Sequence, residues 1–207
     1  LELFEFFGKP RFVHVGGDES YDFQTCAACA AADPNRLILD HLQHFHDLFA
    51  GHGCRIMMWH DMLLMKDDPR WNGCIAFGDG RTRGILEKLP RDIIIADWQY
   101  SRAPQDNPDH EFPTANYLQE CGFDVVLCPW MEAEGAFQAG AQIEKRRLFG
   151  LLQTTWNTAY QKNFATMIAA GAFAAWCGRI DPIRFDDAMH VAFARNLRHV
   201  HRDMGIT

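Results

Sequence analysis

The chain has 207 residues, 48% of them hydrophobic, with 16 Phe, 6 Trp and a formal net charge of −7. This is the composition of a globular protein with a sizeable core, and it excludes a disordered chain. The acidic balance gives no footprint for nucleic acid or an anionic membrane, and no apolar run reaches the roughly 18 residues that a membrane helix needs.

Residues 11–15, Arg11-Phe12-Val13-His14-Val15, read as a first buried strand, stopped by Gly16-Gly17 and followed by the adjacent carboxylates Asp18 and Glu19. A helix follows over 37–51, where Leu37, Leu39, Leu42, Phe45, Leu48 and Phe49 recur near helical spacing. Residues 55–59 form a second strand, 84–89 a short helix, and 92–98, built on Ile93-Ile94-Ile95-Ala96, a third strand. A helix over 114–121 is closed by Gly122, and a fourth strand covers 124–128. The pattern continues with a helix over 136–147, a fifth strand over 148–155, an Ala-rich helix over 163–176 and a last amphipathic helix over 185–201. Alternating strands and helices argue for a parallel sheet, and each strand ends in a polar or aromatic cluster. The fold class is α/β, a (β/α)8 barrel of which about five βα units lie in this chain; a complete barrel has about 250 residues. The whole of 1–207 reads as one fragment of a catalytic domain, with βα units over 1–180 and a C-terminal helix over 181–207. The loop 102–113, rich in Pro and Asp, lies where a substrate-covering loop would.

The seven cysteines, Cys26, Cys29, Cys54, Cys74, Cys121, Cys128 and Cys177, are odd in number and read as mostly free thiols, which favours a reducing compartment such as the cytoplasm. Cys26 and Cys29 form a CxxC, but no second pair follows at zinc-finger spacing, and Ala-rich neighbours favour a helical face over a metal site. The first seven residues lack a basic start and a cleavage site, so they are no signal peptide. A start without Met in mid-pattern suggests removed upstream sequence and leaves the compartment open.

Two successive carboxylates cannot face the same way on an extended strand, but at a strand-to-loop turn they converge on one substrate from different angles. One can stay ionised and orient a group while the other, desolvated by aromatic walls, serves as an acid. A solvated acidic turn or a helix cap is the bland alternative.

His14-Val15-Gly16-Gly17-Asp18-Glu19 resembles the HxGGDE signature of glycoside hydrolase family 20, the β-N-acetylhexosaminidases. The resemblance continues in chain order through Trp59-His60-Asp61-Met62, Ile95-Ala96-Asp97-Trp98, Val125-Val126-Leu127-Cys128-Pro129 and Gly150-Leu151-Leu152-Gln153-Thr154-Thr155-Trp156. It covers about residues 11–160 and corresponds to strands four to eight of the family barrel. It implies removal of terminal N-acetylhexosamine, GlcNAc or GalNAc, by a substrate-assisted retaining mechanism in which the 2-acetamido oxygen is the nucleophile. Asp18 would orient the acetamido group, and Glu19 would be general acid and base. Trp59, Trp98 and Trp156 would wall the sugar, with His14, Asp61, Tyr100, Trp130 and Glu132 as further substrate contacts. No cofactor or metal is implied, and the partners are N-acetylhexosamine-containing glycans.

Departures from the family pattern accompany the matches. The family carries Tyr-x-Asp after its seventh strand where this chain has Trp130-Met131-Glu132, so Tyr100 or Glu132 would have to substitute. The x-Glu that follows the eighth-strand Trp is Asn157-Thr158 here. The first three strands precede Leu1, so the missing barrel half is expected from upstream sequence or another chain. Two alternatives stay open. One is a non-catalytic carbohydrate-binding remnant, and the other a metal-dependent hydrolase with His14, Asp18, Glu19, His60 and Asp61 as ligands.

Overall fold

The computed structural model describes residues 1–107, 109–156 and 164–176. Five strands lie in one sheet in the order β1-β2-β3-β4-β5: β1 Phe12–His14, β2 Arg55–Trp59, β3 Ile94–Asp97, β4 Asp124–Leu127 and β5 Gly150–Leu151. The pairs β1/β2 and β2/β3 are parallel, with Val13 opposite Ile56 and Met58 opposite Ile95. Sequential order with parallel pairing is the βα rhythm of an α/β barrel; α-helices join β1 to β2, whereas β2 reaches β3 through 3₁₀ turns, one of them Leu86–Lys88 in place of the expected short helix over 84–89. The chain divides into two compact units: Leu1–Trp98 with Ala103–Val126, and Gln99–Arg102 with the residues from Leu127 onward.

In the first unit, β3 is buried on both faces, and Ile93, Ile94, Ile95 and Ala96 have no exposed surface. Its two isoleucines contribute roughly 4 kcal/mol at about 2 kcal/mol each, enough to carry a polar residue at the strand end. β1 is only half-buried along its length, as an edge strand is. The helix α3, Pro34–Ala50, follows a short helix α2, Ala27–Ala30, and the N-terminal turn α1, Glu2–Phe6. α3 starts where Asp33 caps it by accepting the Arg36 N–H at 2.8 Å, with Pro34 in its first turn. It buries Leu42 and Phe49, and Phe4 of α1 packs on the Phe49 ring at 5.7 Å. α4, Pro113–Glu120, lies against β3 and ends as expected at Gly122, whose φ is +91°. There the Phe123 N–H reaches the Leu118 carbonyl and the Gly122 N–H that of Gln119, the paired bonds of a Schellman stop.

In the second unit, α5, Ala133–Arg146, and α6, Phe164–Trp176, meet through small residues. Ala133, Ala136 and Ala170 form a buried cluster, and a Cβ on Gly140 would meet the Ala174 carbonyl oxygen at 2.8 Å. β5 is shorter than the expected 148–155, yet the N–H groups of Leu152 and Thr154 still donate to the carbonyls of Leu127 and Pro129. The expected helix over 185–201 and the pair Asn157-Thr158 lie outside the described residues.

Candidate active site

The acidic turn grows directly out of β1. Hydrogen bonding to β2 persists beyond His14, with the Val15 N–H on the Met57 carbonyl and the Trp59 N–H on the Gly16 carbonyl. Gly16 (φ +78°) and Gly17 (φ +92°) then take backbone conformations that only glycine enters without cost, and Glu19 follows at φ +45°. Two glycines therefore turn the chain sharply at the strand's carboxyl end. Asp18 is half-buried and Glu19 exposed, and neither carboxylate has a hydrogen-bond partner among the described residues.

What holds this turn is Asp61, in the 3₁₀ turn Asp61–Leu63 just after β2. Its side chain is fully buried. Oδ2 accepts the Glu19 backbone N–H at 2.9 Å, and Oδ1 accepts the Trp98 indole N–H at 3.0 Å. One carboxylate thus fastens the loops after β1 and β3 to the end of β2. With both oxygens taken by protein donors, Asp61 meets the burial requirement for a charged group.

The end of β3 is supported from behind. Asp97, with no exposed surface, accepts the Thr114 hydroxyl at 2.7 Å and lies 3.5 Å from His60 Nε2. His60 accepts the Trp98 backbone N–H on Nδ1 at 3.3 Å, which leaves Nε2 to donate to the Ile75 carbonyl at 2.9 Å. Trp59 and Trp98 are both buried, and the Phe77 ring meets Trp98 edge-on at 5.9 Å. His14 packs on Trp59 at 4.2 Å and accepts the Gly16 N–H on Nδ1 at 3.1 Å. Its buried Nε2 has no partner among the described residues. Burial holds the His14 pKa below its ordinary 6.5, partly opposed by the nearby Asp18 carboxylate. The Tyr21 phenol is pushed up by desolvation and by the nearby carboxylates of Glu19, Asp61 and Asp18.

In the second unit, Tyr100 and Trp130 pack ring on ring at 4.9 Å, and Gly135 lies against the Tyr100 carbonyl where a Cβ has no room. The Trp130 indole nitrogen is buried without a partner among the described residues. Glu132 is exposed at the N-terminus of α5, and Trp156 is 41% exposed with φ +43°. The expected site residues therefore fall into two groups, His14, Asp18, Glu19, Trp59, Asp61 and Trp98 in one unit and Tyr100, Trp130, Glu132 and Trp156 in the other.

Several supporting residues carry no local sequence signal. Arg81 holds the chain after the acidic turn by donating to the Tyr21 and Phe23 carbonyls, with its guanidinium 4.4 Å from the Phe23 ring centre. Asn107 is fastened to the chain after β2, its amide donating to the carbonyls of Arg70 and Asn72. Among the described residues, no group of three or more His, Cys, Asp or Glu stands where it could hold a metal ion.

The fold resembles that of solved GH20 enzymes. A chitobiase from Flavobacterium johnsoniae matches over 96% of this chain and 31% of its own, with 14% identity and a TM-score of 0.56. A GH20 exo-β-N-acetylglucosaminidase from Vibrio harveyi, solved with N-acetylglucosamine, matches over 89% of this chain and 32% of its own, with 19% identity and a TM-score of 0.52. No protein-family model and no curated protein matches the chain. The chain spans about a third of the length of those two structures, and what it shares with them is the fold: part of a (β/α)8 barrel, as the strand-helix rhythm leads one to expect.

Proposed function

We propose that this chain is the strand-four-to-eight part of a family 20 glycoside hydrolase barrel that removes terminal N-acetylhexosamine from glycans. The observation that carries this reading is the Asp61 carboxylate, which joins the backbone of Glu19 and the indole of Trp98 within one buried group. A solvated acidic turn has no need of such an anchor, whereas a general acid has to be held to a fixed position beside the face of a sugar.

In this reading the acetamido oxygen of the substrate attacks the anomeric carbon as the glycosidic C–O bond breaks, and Glu19 gives its proton to the departing oxygen. Asp18 accepts a hydrogen bond from the acetamido N–H, which raises the electron density of the attacking oxygen and fixes its approach. A cyclic oxazolinium ion results. Glu19, now a carboxylate, takes a proton from water as that water attacks the anomeric carbon from the face the leaving group left and the bond to the acetamido oxygen breaks, so the acetamido group is restored and configuration is retained. Trp59 and Trp98 are candidates for the apolar wall beside the acetamido methyl. The remaining barrel strands come from sequence upstream of Leu1 or from another chain.

The test is hydrolysis of chromogenic N-acetyl-β-glucosaminide and its galacto epimer, by this chain and by the chain extended upstream. Turnover by the extended chain is expected to fall about 100-fold or more in Glu19→Gln and in Asp18→Asn, with folding unchanged. Undiminished turnover in Glu19→Gln removes Glu19 as the acid. Saturable binding of N-acetylglucosamine without hydrolysis in either form makes the protein a carbohydrate-binding remnant instead.

A further inference from the structure

The CxxC pair is left unused by the proposed hydrolysis, and its geometry is that of a reactive dithiol. Cys26 is the N-cap of α2 in an extended conformation (φ −80°, ψ 153°), and Cys29 is the third residue of that helix. The Cys29 N–H donates to Cys26 Sγ at 3.3 Å, so the Cys26 sulfur is held against the turn of α2 that carries Cys29. Cys26 is exposed and Cys29 half-exposed, so a solute can reach both.

Their chemistry is divided. The Cys29 thiol and the backbone N–H groups of Cys29 and Ala28 stabilise the Cys26 thiolate and lower its pKa, while the same contact raises that of Cys29. Cys54 and Cys128 are buried, and burial pushes Cys74 up to about 11, while Cys121 is half-exposed without a neighbouring thiol at CxxC spacing. No third His, Cys, Asp or Glu stands with the pair among the described residues to complete a metal site. Both residues also line a cavity of about 580 Å³ together with Leu37, Leu42, Met58, Met62 and Gly17. The apolar wall offers room for the organic part of an incoming reagent.

We propose that Cys26 and Cys29 form a redox-active site that exchanges with small uncharged organic disulfides. The Cys26 thiolate attacks one sulfur of the added disulfide; a protein mixed disulfide forms, and one thiolate leaves and takes up the proton that Cys26 lost. Cys29 then gives up its proton and attacks the Cys26 sulfur, the mixed bond breaks, and the second thiol departs. The protein dithiol loses two electrons and two protons, and the small disulfide is reduced to two thiols.

The reduced chain is incubated with 2-hydroxyethyl disulfide, quenched in acid, alkylated and mapped by mass spectrometry. An intrachain bond between Cys26 and Cys29, formed before Cys54, Cys74, Cys121 or Cys128 reacts, is the expected result. Cys29→Ser is expected to trap the mixed disulfide on Cys26. In the untreated reduced chain, Cys26 is expected to react with iodoacetamide at least about tenfold faster than Cys74 at neutral pH. A mixed disulfide on Cys26 that Cys29 fails to resolve overturns the proposal, as does a Cys26 alkylation rate no greater than that of Cys74.

Discussion

The carboxyl ends of β1 and β3 stand two strands apart in the same sheet and are built on opposite plans. At the end of β3, buried polar groups are paired with protein partners: Asp97 with Thr114, and the Trp98 N–H and indole with His60 and Asp61. At the end of β1, three of the four residues of the turn have positive φ, and the two carboxylates are left without protein partners among the described residues. The first arrangement is rigid and saturated, and the second is open and able to accept a ligand. Asp61 is where they meet, for it lends the rigidity of the β3 end to the backbone of the β1 turn without occupying either of its side chains. In the proposed function, this arrangement would separate the groups that are held from the groups that act.

Removing the shared anchor is the severest way to break the contrast. Asp61→Ala leaves the Glu19 N–H and the Trp98 indole N–H without their acceptor, and the expected loss is about 3 kcal/mol in urea unfolding, together with faster amide exchange at Glu19. A loss below about 0.5 kcal/mol, the value for an ordinary surface substitution, separates the two ends. Asp97→Ala attacks the β3 end alone. It leaves the buried Thr114 hydroxyl without its acceptor, so about 2 kcal/mol should disappear while exchange at Glu19 stays slow. Gly17→Ala attacks the β1 turn alone. The added Cβ has room, 3.7 Å from Met58 Cε, so the cost of about 1 kcal/mol comes from the backbone at φ +92°. Were the loss several times larger, the turn would be packed as tightly as the β3 end.

The smallest effect is a response to pH at His14. Its folded pKa lies below 6.5, so as pH falls beneath 6.5 the unfolded chain takes up a proton before the folded one does. The His14 contribution is complete above pH 6.5 and is lost as pH drops through the folded value. An NMR titration of the His14 ring should show a midpoint under 6.5, and Asp18→Asn should move it lower still by removing a favourable charge. A midpoint at or above 6.5 means that the ring is solvated.

Much of the fold is legible because its elements are local. The apolar run Ile93-Ile94-Ile95-Ala96 marks a strand buried on both faces, and the 37–49 periodicity marks α3. Strand ends are less legible, since a residue such as Trp98 leaves the strand when its N–H finds the His60 ring, 38 positions away in sequence. The same holds for the site. The acidic turn shows itself through adjacent glycines and carboxylates, whereas the placement of Asp61 between Glu19 and Trp98 depends on bonds that span 42 and 37 positions. Asp97, Thr114 and Arg81 support the region in the same non-local way, so local pattern is silent about them.

The bond from Asp61 is made to the main chain of residue 19, so it is indifferent to the side chain there. At φ +45°, glycine or asparagine would sit more comfortably than glutamate. A glutamate in that place runs against the preference of its own backbone, a local cost of about 1 kcal/mol that the proposed acid–base role of its carboxylate would account for.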